Sequence, residues 1–305
     1  MSEAAISVRG LCKSYGEHEA VAGIEFEVAA GEVFGFLGPN GAGKTTTIEI
    51  LEGYRERSGG EVSVLGVDPG KPTREWRSRV GLVLQECELD PLLTVREAVS
   101  LFATFYPAPR SVDETIELTG LAEKREARIG SLSGGQKRRV DVAIGIIGDP
   151  DLIFLDEPTT GFDPTARREA WNTIEGLKEL GKTVFLTTHY MDEAQHLADR
   201  VAILREGRIV AQGAMEQLSA DLGRKTVIGF RLNGGLGLED VNSRVSAPVQ
   251  AGGGEVSIET ERPQEDLYRL LTLAEERGVT LESLEVRRPS LEDIFLDLTK
   301  ESPEP

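Results

Sequence analysis

The segment Gly38-Pro39-Asn40-Gly41-Ala42-Gly43-Lys44-Thr45-Thr46 constrains this chain more than any other. It follows the apolar run Val33–Leu37 and leads into helix-compatible residues through Leu51. Strand, loop and helix in that order are the context in which the P-loop pattern works. Glycines let the backbone curl and turn successive N–H groups inward, and the helix start behind them adds the positive end of a dipole. Lys44 is then placed to reach the β- and γ-phosphates of a nucleotide, and the Thr45 hydroxyl to ligate Mg²⁺.

Further short apolar runs recur at 80–84, 152–155, 184–186 and 201–204. They suit strands buried on both faces, with helical stretches between them, and so predict an α/β layered domain. Arg205-Glu206-Gly207-Arg208 reads as a hairpin turn between 201–204 and 209–211. The run at 152–155 ends in Asp156 and Glu157, which is the Walker B arrangement. Asp156 would hold the Mg²⁺ shell and Glu157 would polarise the attacking water as general base. A strand ending at a polar loop is commonplace, so this element takes its weight from its pairing with the P-loop.

Leu132-Ser133-Gly134-Gly135-Gln136 precedes a helical stretch. Ser133 can cap that helix, and Gln136 three residues on can complete a capping box. Gly134 and Gly135 permit close approach of a bound group, and the exposed N–H groups at the helix start attract phosphate. A well-capped helix with no other role would look the same. With this element the sequence resembles the ABC ATPase family, whose signature is LSGGQ upstream of Walker B. Smaller family motifs fall into order over about the first 213 residues. Tyr15 matches the aromatic that stacks on adenine. Gln85 matches the Q-loop glutamine that touches the metal or the water. Gly161-Phe162-Asp163-Pro164 matches the D-loop, with phenylalanine where leucine is usual, and His189 matches the switch histidine.

The resemblance implies a P-loop NTPase fold with a mixed sheet and a helical subdomain at about 86–147, where a membrane subunit docks. It implies a head-to-tail dimer with two ATP molecules between the copies. Each site takes Lys44, Thr45, Gln85, Asp156, Glu157 and His189 from one chain. Ser133, Gly135 and Asp163 come from the other, with Gly134 and Gln136 completing the signature. One motif set per chain makes a homodimer the simplest arrangement.

No stretch approaches the roughly 20 apolar residues of a spanning helix, and Met1–Ala5 lacks the basic start of a signal peptide. A soluble, cytosolic protein is expected, peripheral on the membrane through a separate permease chain. The 34 basic residues against 52 acidic ones, a net charge of −18, disfavour nonspecific binding to nucleic acid or anionic lipid. Cys12 and Cys87 form neither a disulfide framework nor a zinc spacing.

Composition shifts after Leu222, which predicts an ATPase domain over 1–221 and a small α/β domain over 222–305. Strands are expected at 226–232, 255–260 and 281–286, glycine-rich loops at 233–237 and 251–254, and a helix from Pro263 to Arg277 stopped by Gly278. Ser290 would cap a last helix with Leu291, Ile294, Phe295 and Leu298 on one stripe. This tail resembles the ATPases of drug, antibiotic and lipid-type exporters, such as those of daunorubicin type. An importer ATPase, or a regulatory nucleotide-binding protein outside transport, is the alternative.

Overall fold

The structure is a computed structural model, and it describes residues 4–83, 89–232, 236–252 and 254–300. The chain divides into two compact units, Met1–Ala214 and Met215–Pro305. The first unit begins with β1 (Ala4–Tyr15), β2 (His18–Ala29), β3 (Val33–Leu37), α1 (Lys44–Leu51), β4 (Gly59–Val64), α2 (Arg74–Ser78) and β5 (Val80–Val83). It continues with α3 (Val95–Ala103), α4 (Val112–Leu118), α5 (Gly134–Ile146), β6 (Leu152–Asp156), α6 (Pro164–Glu179) and β7 (Thr183–Thr188). It closes with α7 (Met191–Leu197), β8 (Arg200–Arg205) and β9 (Arg208–Gly213).

Six strands form a mixed sheet in the order β5-β6-β7-β3-β8-β9. The first five run parallel, and β9 pairs antiparallel with β8. Strands β3 and β7 are buried at every residue, as strands covered on both faces should be. The β8–β9 hairpin turns at Glu206 and Gly207, with φ 50° and 75°, the pair of left-handed residues that matches strand twist. A second sheet, β2-β1-β4, is antiparallel. The sequence reading left residues 4–29 and 59–64 unassigned. Their signal is alternation, since Ile24, Phe26 and Val28 are buried while Gly23, Glu25 and Glu27 are exposed.

The two sheets share a core in which phenylalanines converge. Phe26 stacks on Phe34 at 5.6 Å between ring centres, and Phe185 lies within 6.0 Å of Phe26, Phe34, Phe36 and Phe154. A separate cluster gathers Val95, Val99, Ile116 and Val140 from α3, α4 and α5 with Leu121, Leu132 and Ile147 from the segments beside them. Thr94 starts α3 with a full capping box to Glu97. Among the described residues no helix is long and apolar enough to cross a membrane.

The second unit contains α8 (Met215–Asp221), β10 (Thr226–Arg231), α9 (Leu238–Arg244), β11 (Val249–Gly252), β12 (Glu255–Thr260), α10 (Pro263–Arg277), β13 (Glu282–Arg287) and α11 (Leu291–Lys300). Its antiparallel sheet has the order β11-β12-β10-β13, with Ile228, Phe230, Ile258, Leu270 and Leu273 in its core. Helix α10 ends at Gly278, φ 64°, and the Ser290 hydroxyl accepts the Asp293 N–H at 3.1 Å to start α11. Two readings are corrected here. Ala251 and Gly252 belong to β11 and not to a loop, because backbone pairing with Val256 and Glu255 overrides the low strand propensity of glycine. Helix α9 had no expected counterpart; its first turn is held by Asp240, whose Oδ2 accepts the Gly237 N–H at 3.1 Å.

Candidate functional site

The loop between β3 and α1 is shaped by close backbone approach. A Cβ on Gly43, φ 104°, would lie 2.4 Å from the Ala20 carbonyl oxygen, and one on Gly38 the same distance from that of Leu204. Only glycine fits at either place. The Gly207 N–H, at the tip of the β8–β9 hairpin, donates to the Ala42 carbonyl at 3.0 Å and braces the loop from behind. Lys44 is 5% exposed. Its ammonium donates to the carbonyls of Gly38 (2.8 Å) and Pro39 (3.2 Å) and lies 3.6 Å from Glu157 Oε1. Burial pulls the Lys44 pKa below the usual lysine range, although Glu157 and Asp156 pull the other way.

Strand β6 delivers Asp156 and Glu157 to the same place. The Thr187 hydroxyl, from neighbouring β7, donates to Asp156 Oδ1. Glu157 has a left-handed backbone, φ 45°, which costs a non-glycine residue about 1–2 kcal/mol. It is held there by its N–H donating to the Thr187 carbonyl at 3.1 Å. Thr160 Oγ1 donates to Glu157 Oε2 at 3.1 Å. His189 Nδ1 lies 3.3 Å from the same oxygen, without the alignment of a hydrogen bond. Burial works to raise the Glu157 pKa, but Thr160, His189 and Lys44 together outweigh it and hold the carboxyl below its ordinary range. A carboxylate kept ionised beside a buried ammonium can accept a proton from water.

Lys44, Asp156 and Glu157 line a cleft of about 470 Å³ together with Tyr15, Asn40, Gly41, Gly43, Thr45 and Thr46, whereas His189, Thr160 and Thr187 stand behind Asp156 and Glu157 and outside the lining. Gly38, Pro39 and Ala42 form the backbone of the loop behind it. Tyr15 is 42% exposed, with the Lys13 ammonium 5.1 Å and the Arg55 guanidinium 5.4 Å from its ring centre. Ser133, Gly134, Gly135, Gln136 and Asp163 do not line this cleft. Ser133 and Gln136 form the expected capping box at the start of α5, and Asp163 Oδ1 caps α6 by accepting the N–H groups of Thr165 and Ala166, each at 2.9 Å. Gln85 lies outside the described residues, as does Cys87.

Several residues here had no assigned part. His18 and Ala20 line the cleft, and Thr160 and Thr187 partner the two carboxylates; Thr187 sits inside the Thr187-Thr188-His189 string, where a hydroxyl beside an acidic strand end was a usable signal. A clasp also joins α6 to α7. The Arg167 guanidinium lies 4.2 Å over the Tyr190 ring and bonds to Asp192 at 3.2 Å. Trp171 Nε1 donates to the fully buried Glu193 at 3.3 Å.

The donors suit a hard divalent cation. Thr45 and Asp156 open on one cleft, and buried Glu52 is pushed up to about 8, first by burial and then by the charge of Asp156. Added positive charge would relieve that field. Among the described residues no three acidic, histidine or cysteine groups cluster as a metal cage; Mg²⁺ commonly needs only one or two carboxylates alongside phosphates and water.

A family model described as ABC transporter matches residues 21–160. A second, for the C-terminal domain of ABC transporter domain-containing protein-like chains, matches 226–290. The chain is 36% identical to the daunorubicin resistance ATP-binding protein DrrA3 of Streptomyces coeruleorubidus, over 98% of this chain and 97% of that one. It is 39% identical to the Nod factor export ATP-binding protein I of Rhizobium sp. (strain N33), over 98% of both, and 34% identical to the linearmycin resistance ATP-binding protein LnrL of Bacillus subtilis (strain 168), over 96% and 98%. Among solved structures, an ATP-binding subunit of an ABC transporter superposes with a TM-score of 0.64 at 25% identity, covering 72% of this chain and 93% of that one. A dimeric ATP-binding cassette in a post-hydrolysis state, bound to ADP and phosphate, gives 0.61 at 26% identity over 69% and 98%.

Proposed function

The chain belongs to the family of ABC transporter ATP-binding proteins, and from that premise we propose that it drives export of a drug-, antibiotic- or lipid-like compound through a separate membrane permease. It is an ATPase. The observation that carries the chemistry is the meeting of Lys44 and Glu157, 3.6 Å apart, beside a loop in which Gly38 and Gly43 admit nothing bulkier than hydrogen. Lys44 and the N–H groups of 40–46 hold the β- and γ-phosphates. Glu157 takes the proton of the attacking water, with His189 beside it to contact the γ-phosphate, and Gln85 acts on the metal or water. Tyr15 stacks on the adenine. Thr45 and Asp156 hold Mg²⁺, which when bound neutralises charge on the transferring phosphoryl group.

Two copies close head to tail over two ATP molecules, so that Ser133, Gly134, Gly135, Gln136 and Asp163 complete the site of the other chain. Nucleotide bridges both surfaces, and loss of the γ-phosphate contact lets them part. The first unit acts as the ATPase domain, with the helical subdomain at about 86–147, and the second, whose start lies at Met215 and not at the expected 222, serves dimerisation or regulation. The permease is received in a groove of about 510 Å³ that includes Glu52, Tyr54, Trp76, Phe102 and Tyr106. Tyr54 is 68% exposed there, an aromatic surface suited to a short helix of the partner. The chain then works at the cytoplasmic face of the membrane.

Membrane vesicles carrying the chain with its permease test this reading. ATP should drive accumulation of such a compound in inside-out vesicles, and Glu157→Gln should abolish it. ATP-dependent uptake in the opposite orientation would overturn export.

A further inference from the structure

Arg138 stands five residues after Ser133 on α5, and it is 7% exposed. Its Nη2 donates to the Asp156 carbonyl at 3.0 Å and its Nε to the Pro158 carbonyl at 3.3 Å. Those two carbonyls flank Glu157. One planar guanidinium therefore grips the backbone on either side of the residue with the left-handed conformation, and a charged, rigid fork suits that task. Arg138 is absent from the lining of the nucleotide cleft, so any effect it has on hydrolysis acts through what it holds.

We propose that Arg138 is a positioning residue through which helix α5 sets the Glu157 carboxylate. This rests on Glu157 being the base and on the start of α5 facing the second nucleotide. A strained backbone persists only where its surroundings over-determine it. Take away the guanidinium, and the 156–158 turn relaxes toward an ordinary conformation, swinging the carboxylate away from Lys44. Because α5 carries the signature at one end and Arg138 one turn further on, a shift of that helix when its tip engages a partner chain's nucleotide reaches Glu157 directly. The two sites of a dimer are thereby joined by one side chain per subunit.

The test uses the purified full chain with ATP and Mg²⁺. Arg138→Met keeps length and burial but removes the donors, and should lower kcat roughly ten- to a hundredfold with KM changed less than about twofold. Arg138→Lys, which can reach one carbonyl but not span both, should fall between Met and wild type; if the Met chain does not fold, judged by its melting curve, the Lys chain decides. In single-turnover runs on a Glu157→Gln background, Arg138→Met should cost nothing further, because residues acting as a unit are not additive. Wild-type kcat in both variants, a rise in KM matching the loss, or a multiplicative loss in the double variant overturns the proposal. Wild-type turnover by Glu157→Gln alone would instead remove the underlying assignment of the base.

Discussion

The P-loop cleft and the start of α5 are both glycine turns at helix N-termini, yet they are satisfied differently. At the cleft, Lys44 bonds to two loop carbonyls and faces Glu157, Glu157 leans on Thr160, and Asp156 on Thr187, all within one chain. At α5, the Ser133 and Gln136 side chains cap each other's backbone N–H, and Ser133 and Gly134 stand exposed. One region is finished by its own fold; the other is stable as a capped helix and, on the function proposed above, would gain chemistry from a second chain. The proposed function then assigns binding to the cleft and makes turnover depend on both.

The largest effect expected from this contrast is on turnover. Glu157→Gln should lower phosphate release by about 10² to 10⁴ while keeping ATP affinity, and should hold the chains together as a dimer in size-exclusion chromatography. Next, Lys44→Ala should weaken ATP binding by roughly ten- to a hundredfold by loss of charge-assisted bonds, read by isothermal titration of the chain; unchanged affinity would break the cleft half of the comparison. Mixing inactive Lys44→Ala chains with inactive Gly135→Asp chains should regain hydrolysis, since a mixed dimer contains one site with both halves intact. Failure of mixing, with both variants folded, breaks the other half.

A smaller effect attends Ser133→Ala. Loss of the cap should cost about 1 kcal/mol in denaturant unfolding and reduce turnover, with nucleotide affinity of the isolated chain unaltered. Smallest is a pH effect. Glu157 is held below its unfolded value, so its contribution to stability is present above the ordinary carboxylate range and lost as pH falls through the lower native value. The gap in melting temperature between wild type and Glu157→Gln should accordingly narrow on acidification below about pH 4.

How legible each part was follows from where its signal resides. The parallel strands at 152–156 and 183–188 could be read because burial on both faces leaves an apolar run bounded by polar residues. The hairpin at 205–208 and the stop at Gly278 were legible because local backbone geometry demands particular residues. Strands β1, β2 and β4 escaped, since one-sided burial writes only an alternation that charged residues interrupt. At the site, Lys44, Asp156 and Glu157 were legible from spacing, whereas His18 and Arg138 were not. Their positions are fixed by folding across 26 residues to Lys44 in one case and 18 to Asp156 in the other, and no local pattern encodes such a distance.

The clasp between α6 and α7 has a practical consequence. The chain has two tryptophans: Trp76, 3% exposed with its Nε1 donating to the Val64 carbonyl, and Trp171, bonded to Glu193 with its ring centre 4.7 Å from that of His196. Trp171 therefore reads out the helix that carries His189 on its leading loop, and an adjacent imidazole is a quencher sensitive to small displacements. With Trp76 replaced by phenylalanine, the protein becomes its own optical gauge, reporting any displacement of α7 and its leading loop during turnover without an attached dye.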